Sequence, residues 1–102
     1  MSLRYQHSPE LASEREAKEP PLYQVILLND DFTPQDFVVN LLRQVFSMPL
    51  PQAMTVMLQV HHRGSGVCGV YTYEIARIKA DQVESLAQQH DHPLRCVVQG
   101  VE

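Results

Sequence analysis

The chain has 102 residues, of which 44% are hydrophobic and 20% are charged, and its formal net charge is −4. This length and composition predict a single globular domain with a small core. The longest uninterrupted apolar run, Val25 to Leu28, is far shorter than the roughly 20 residues that span a membrane. The negative charge argues against a nucleic-acid-binding protein, because such proteins need a basic surface.

Residues 1–20 differ in composition from the rest of the chain. They carry charges of both signs and few apolar side chains, and they end at a pair of prolines. Such a segment buries too little apolar surface to offset its ordering entropy, so we predict a mobile tail over 1–20 and a folded core over 21–102. The segment also lacks the apolar stretch of a secretory signal. Cys68 and Cys96 are therefore expected to be reduced thiols in the cytoplasm.

The folded part begins with a β-rich run from Tyr23 to Leu28, which is apolar on both faces near its end. That pattern is typical of a central strand. Asn29-Asp30-Asp31 then interrupts the run. Thr33 is predicted as the N-cap of a first helix, with Pro34 in its first turn, and the apolar residues that follow recur at helical spacing.

Two more helices are predicted from the same kind of spacing. The second begins near Pro51 and ends at Gly64, a residue type that favours the left-handed conformation after a last turn. The third has Thr72 as its N-cap and ends before Pro93. The predicted apolar stripe of the second helix consists of Ala53, Met54, Met57, Leu58 and His61, widened by Val56 and Val60. That of the third consists of Ile75, Ile78, Val83 and Leu86.

Strands are predicted from Val67 to Tyr71 and, by alternation of apolar and other residues, from Leu94 to Val98. The element order is therefore β-α-α-β-α-β. We predict an α+β fold, a small sandwich in which a three-stranded antiparallel sheet packs on three helices.

The loop Asn29-Asp30-Asp31 is the most unusual feature of the sequence. Thr33 and Asp36 already serve the start of the first helix, so Asn29 and Asp30 are additional acceptors. A cluster of this kind suits an ammonium group, a metal or acid–base chemistry, although a purely structural turn explains it equally well. Both interpretations remain open from the residues alone.

The other candidate groups give weaker signals. His61 and His62 are adjacent on a helix, so their side chains diverge and do not chelate one metal as residues four apart do. Cys68 and Cys96 lack a CxxC spacing, which argues against zinc and favours small core residues. A nucleophilic site of Cys68 with His61 and Asp30 has no support from spacing.

Three segments resemble the ClpS family: VILLNDDFTPQDFVV, then MLQVHHRGSGVCGVYTYEIARIKADQV, then HPLRC. They lie in the family's order at compatible spacing and span about Leu22 to Val98. Members are bacterial adaptors that deliver substrates to the Clp AAA+ protease. The resemblance implies a non-catalytic adaptor without cofactor or metal. Its partners would be the amino-terminal domain of the Clp unfoldase and N-degron proteins that begin with Leu, Phe, Tyr or Trp, not nucleic acid or a membrane.

The resemblance also implies roles for individual residues. The substrate's free α-ammonium would be held by Asn29, Asp30 and His61, while Asp31 and Thr33 would help to hold the loop and the first peptide groups. The pocket for the first side chain would be formed by Val38, Met57, Val60 and Leu94, with Gln35 at its rim. Unfoldase docking would involve Glu74 and Lys79 on the third helix, and the tail would assist substrate handover.

Gln35 departs from the family pattern, which often has Met at this position. The preference among Leu, Phe, Tyr and Trp, and the rejection of Ile and Val, therefore stay open. Two other functions compete with the adaptor: a hydrolase that uses His61 with Asp30 or Cys68, and a docking module of ribosome-stalk-like fold without N-terminal residue recognition. A plain docking helix needs no acceptor cluster, which distinguishes that module from the adaptor.

Overall fold

Three strands and three helices are formed by residues 19–101, the part of the chain that the computed structural model describes. The elements are β1 (Leu22–Leu28), α1 (Gln35–Phe46), α2 (Leu50–Arg63), β2 (Ser65–Thr72), α3 (Tyr73–Gln89) and β3 (Arg95–Gly100). The predicted order is confirmed. The predicted mobile tail falls almost wholly on residues 1–18, outside the described residues. Within 19–101, none of the helices combines the length and apolarity needed to cross a bilayer.

β1 is the central strand, as predicted, and pairs antiparallel with both β2 and β3. Its Val25 and Leu27 are fully buried, because alternate residues of the strand face the helices. The pairing of β1 with β2 changes register after Val25, which leaves Cys68 as an extra residue in β2. This bulge bends the strand, and the next residue, Gly69, leaves space that the Tyr71 ring occupies.

The buried stripe of α2 differs in part from the predicted one. The buried residues are Ala53, Val56, Met57 and Val60, whereas Met54 and Leu58 are 45% and 43% exposed. Small and β-branched side chains face the sheet, because α2 approaches β2 closely. A Cβ atom at Gly66 of β2 would lie 2.9 Å from Val60 Cγ2. Met54 and Leu58 were therefore wrongly assigned to the buried stripe, whereas Met57 was assigned correctly.

The prediction for α3 fails for the same physical reason. Its buried residues are Ala76, Ala80, Val83 and Ala87, so only Val83 was both predicted and fully buried. Ile75 and Ile78 are 43% and 52% exposed. A face of alanines lets the helix lie close against the sheet, while the larger isoleucines lie beside that face.

α1 is held at its carboxyl end by a side chain from α3. The Lys79 ammonium donates a hydrogen bond to the carbonyl oxygen of Val45 at 2.8 Å. This carbonyl is among the last of α1, which have no partner within the helix, and a cation there also interacts favourably with the helix dipole. Lys79 therefore connects α1 to α3.

Candidate functional site

The loop between β1 and α1 is organised by the carboxylate of Asp30. Its Oδ1 accepts the backbone N–H groups of Phe32 at 2.8 Å and Thr33 at 2.7 Å, and its Oδ2 accepts the Thr33 hydroxyl at 2.7 Å. Three hydrogen bonds to one charged group fix the loop conformation. Asp30 thus takes the loop-holding role that the resemblance gave to Asp31 and Thr33, with Thr33 as its donor.

The predicted N-cap at Thr33 is wrong. α1 begins at Gln35 after Pro34, without a side-chain hydrogen bond to the helix end. The Thr33 hydroxyl is already bonded to Asp30, so it is committed to the loop. Asp36 accepts the N–H of Phe37 at 2.9 Å and supports the first turn, where a negative charge is favourable.

Two opposing effects act on the pKa of Asp30. Burial raises it, but the hydrogen bonds from the Thr33 hydroxyl and from the backbone N–H groups of Phe32 and Thr33, together with the nearby His92, lower it by more. The pKa of this carboxyl therefore lies below its ordinary value of 3.8. The His92 ring packs against Phe37 of α1, with ring centroids 4.6 Å apart.

The last turn of α2 forms the other side of the site. α2 ends at Arg63, and Gly64 follows as its C-cap with a φ of 93°, the predicted left-handed conformation. The carbonyl oxygen of Gly64 accepts the N–H of Asn29 at 2.9 Å, so a main-chain bond joins the loop to the end of α2. His61 and His62 lie in this turn, with ring centroids 5.1 Å apart. Both are exposed, so His61 is not buried in an apolar stripe as expected.

A cavity of about 340 Å³ lies between the loop, α1 and α2. Nine of the ten residues predicted for N-terminus binding and for the pocket line it: Asn29, Asp30, Asp31, Thr33, Gln35, Val38, Met57, Val60 and His61. Phe32 and Pro34 line it as well, although neither was predicted to belong to the site. The tenth predicted residue, Leu94, is not in this lining. It is buried in the core and borders a separate cavity of about 310 Å³ beside Pro93 and Arg95.

The cavity combines two chemically different surfaces. Its apolar wall, defined here as Val38, Met57 and Val60, is buried. Its acceptor group, defined as Asn29, Asp30 and His61, supplies an amide carbonyl, a carboxylate and an imidazole nitrogen. Such a cavity suits a ligand that joins a cationic donor to a large apolar side chain. Its volume is at the lower end of small-ligand sites, about 300–1,000 Å³.

The two cysteines are core residues, as predicted. Both are free and buried, and neither lines the cavity. Burial raises the pKa of Cys68 to about 12 and that of Cys96 to about 11. A nucleophilic cysteine acts as its thiolate, so these thiols are poorly suited to the competing hydrolase function. Among residues 19–101, no three His, Cys, Asp or Glu side chains are grouped as a metal site.

The two predicted docking residues occupy different environments. Glu74 is exposed in the first turn of α3. Lys79 is half-buried. Its ammonium bonds the Val45 carbonyl and lies 5.9 Å from the centroid of the Tyr71 ring. The structure therefore gives Lys79 a role in holding the fold, which the sequence pattern did not reveal.

Comparison with known proteins agrees with the resemblance seen in the sequence. Residues 18–97 match the family model of the ATP-dependent Clp protease adaptor protein ClpS. An ATP-dependent Clp protease adapter protein ClpS from Nitrosospira multiformis is 53% identical over 88 residues, which is 86% of each chain. One from Aromatoleum aromaticum is 55% identical over 82 residues, which is 80% of each chain.

A solved structure gives the same result for the fold. Agrobacterium tumefaciens ClpS2, bound to L-phenylalaninamide, matches with a TM-score of 0.80 and 37% identity. The match covers 81% of this chain and all of that one. The predicted family and α+β fold are confirmed, and these relatives are named as adaptors, not for a catalytic activity. The chain belongs to the ClpS family of adaptors of the ATP-dependent Clp protease.

Proposed function

We propose that this adaptor binds proteins by a free N-terminal Leu, Phe, Tyr or Trp and delivers them to the Clp unfoldase in the cytoplasm. The observation that carries the proposal is the single cavity in which the acceptor group lies beside the apolar wall. An N-terminal residue of this kind presents an α-ammonium and a large apolar side chain on the same carbon atom. The cavity has a complementary surface for each part.

The ammonium needs hydrogen-bond acceptors in the cavity, because a charged group loses its hydration when it is bound. It has three N–H donors, and the acceptor group offers a matching set. A carboxylate has about four acceptor positions, of which the loop uses three on Asp30. The remaining position is on Oδ2. Since the loop fixes this oxygen before the ligand arrives, little ordering entropy is lost on binding.

The apolar wall accounts for the preference for large side chains. Burial of a Leu or Phe side chain contributes roughly 1.5–3 kcal/mol, and hydrogen bonds to a charged group add roughly 1.5–3 kcal/mol each before the costs of association. Micromolar or tighter binding is the expected result. The ligand of the A. tumefaciens relative, L-phenylalaninamide, likewise combines a free amino group with an aromatic side chain.

Fluorescence anisotropy with labelled peptides tests this function. We expect a peptide that begins with Leu to bind, and its N-acetylated form to lose binding because the ammonium is removed. A peptide that begins with Ile tests how far Gln35, exposed at the rim, relaxes the selection against β-branched residues. If the free and acetylated Leu peptides bind equally, or if neither binds, the cavity is not an N-terminus receptor.

Delivery requires contact between the adaptor and the unfoldase. We propose that the amino-terminal domain of the unfoldase contacts the region around Glu74 of the adaptor. Glu74→Lys is the cleaner test, because Lys79 also bonds the end of α1 and its replacement would affect stability as well as docking. We expect Glu74→Lys to keep peptide affinity and to weaken binding to the isolated amino-terminal domain. If Glu74→Lys binds that domain as tightly as the unmodified protein does, Glu74 is not part of the docking surface.

The tail is proposed to act in handover, not in recognition. Deletion of residues 1–18 is expected to leave peptide affinity intact while it slows degradation of a Leu-initiated substrate by the Clp protease. Loss of peptide affinity in the truncated protein would instead make the tail part of the receptor.

A further inference from the structure

Phe32 is the most exposed of the large hydrophobic side chains in residues 19–101, with 79% of its surface open to solvent. It lies on the loop between β1 and α1 and is one of the residues that line the site cavity. Phenylalanine is usually buried, because an exposed ring forgoes the free energy of apolar burial. An exposed ring at the border of a binding cavity is therefore a candidate contact for the ligand.

The loop fixes the point from which this ring projects. The Phe32 N–H donates to Asp30 Oδ1 at 2.8 Å, and the following N–H, of Thr33, donates to the same oxygen at 2.7 Å. Both donors are main-chain N–H groups and the acceptor is the Asp30 carboxylate, so these bonds do not involve the Phe32 ring. The backbone at Phe32 is therefore fixed before a ligand arrives, and only the two side-chain torsions of the ring remain to be ordered when a ligand covers it.

The other surfaces of the cavity already have partners in the proposed function. The acceptor group binds the α-ammonium, and the apolar wall binds the first side chain. The peptide continues beyond its first residue, so it leaves the cavity past lining residues that belong to neither set. Phe32 is the large apolar member of that remainder, which otherwise consists of Asp31, Thr33, Pro34 and Gln35.

We infer that Phe32 forms a second subsite, which takes an apolar or aromatic side chain at the second position of the bound peptide. The inference rests on the proposed function and refines it, because selection then depends on two successive residues. An aromatic second residue pairs with the ring and buries apolar surface. Glycine at that position offers no side chain for such a contact.

The test compares labelled peptides that begin Leu-Phe and Leu-Gly, each also in acetylated form. We expect the unmodified protein to bind Leu-Phe about 3- to 10-fold more tightly than Leu-Gly. Phe32→Ala should remove this difference by weakening the binding of Leu-Phe more than that of Leu-Gly. The matched control is Val97→Ala, an exposed apolar residue of β3 outside the cavity lining, which should retain the preference.

Three results would overturn the subsite. The first is equal binding of the two peptides by the unmodified protein. The second is an equal loss of affinity for both peptides in Phe32→Ala, which would mean that the ring supports the loop or the first residue. The third is an unchanged affinity of Phe32→Ala for both peptides, which would place the second side chain elsewhere. A failure of the proposed function has a different signature: neither free peptide binds, or acetylation has no effect on either one. Circular dichroism of each variant checks that the fold is intact.

Discussion

Asp30 has two separable roles in this structure, and replacement by asparagine distinguishes them. Asparagine keeps a carbonyl oxygen for the two backbone N–H groups that Oδ1 now accepts, and its amide can donate to the Thr33 hydroxyl in place of the bond to Oδ2. Asp30→Asn therefore preserves the number of loop hydrogen bonds, while it removes the charge and replaces the acceptor Oδ2 that faces the ligand with an N–H donor. Asp30→Ala removes both the bonds and the charge.

The peptide affinity should respond to the charge. A hydrogen bond to a charged group contributes about 1.5–3 kcal/mol, so Asp30→Asn is expected to weaken binding of a Leu peptide about 10- to 100-fold at pH 7. Asp36→Asn is the matched control, because it removes the same charge from an exposed residue outside the cavity lining and should leave the affinity nearly unchanged. If Asp30→Asn binds as tightly as the unmodified protein, the carboxylate only holds the loop.

Asp30→Asn and Asp30→Ala are both expected to lower the free energy of unfolding, and the pH dependence of this effect has a defined direction. Asp30→Ala is expected to lower the free energy of unfolding by about 1–3 kcal/mol, because donors bonded to Asp30 lose their partner. The pKa of Asp30 is lowered in the folded state from 3.8. Its carboxylate therefore stabilises the fold above pH 3.8, and this contribution is lost as the pH falls through the folded pKa.

Urea denaturation gives the measurement. The chain has no tryptophan, so unfolding is followed by circular dichroism at pH 7 and at pH values below 3.8. We expect the gap in unfolding free energy between the unmodified protein and Asp30→Asn to narrow in acid. A gap that is constant or grows in acid would contradict the lowered pKa.

Three further changes test other parts of the site. Gly66→Ala places a Cβ atom 2.9 Å from Val60 Cγ2, and we expect it to cost about 1–3 kcal/mol in urea denaturation and to weaken peptide binding by displacing the apolar wall. His61→Ala should weaken the binding of a Leu peptide, because the ammonium loses the imidazole nitrogen as an acceptor, whereas an unchanged affinity would exclude His61 from the acceptor group. Lys79→Met removes the bond to the Val45 carbonyl and should lower the unfolding free energy by about 1 kcal/mol, whereas unchanged stability would show that the bond contributes nothing.

The order of elements was predictable because each has strong local signals. The apolar run of β1 and the glycine after α2 are such signals, and the structure confirms both. The buried faces of α2 and α3 were less predictable. Apolar spacing favours the larger side chains, whereas close packing against the sheet selects Ala76 and Ala80 over Ile75 and Ile78. Side-chain size at a close helix–sheet interface is a tertiary property, which spacing along one helix does not contain.

The lining of the cavity was largely predictable from the resemblance, but two of its features were not. The loop organisation by Asp30 depends on a main-chain turn whose geometry the residues Asn29-Asp30-Asp31 alone do not specify. Leu94 was assigned to the pocket, yet it borders a different cavity. Phe32 could have been predicted as a site residue, because an aromatic residue within a polar loop is unusual for a segment that only connects two elements.

The bond between the Asn29 N–H and the Gly64 carbonyl has a consequence for how this receptor can diversify. It joins the two sides of the cavity through main-chain atoms, which almost any substitution at Asn29 leaves in place. Side chains of the wall and rim are therefore free to change during evolution while the spacing between loop and helix is conserved. Gly64 is the exception, because its φ of 93° is strained for residues with a side chain. Paralogues with new substrate preferences are thus expected to vary at positions such as Gln35 and to retain this glycine.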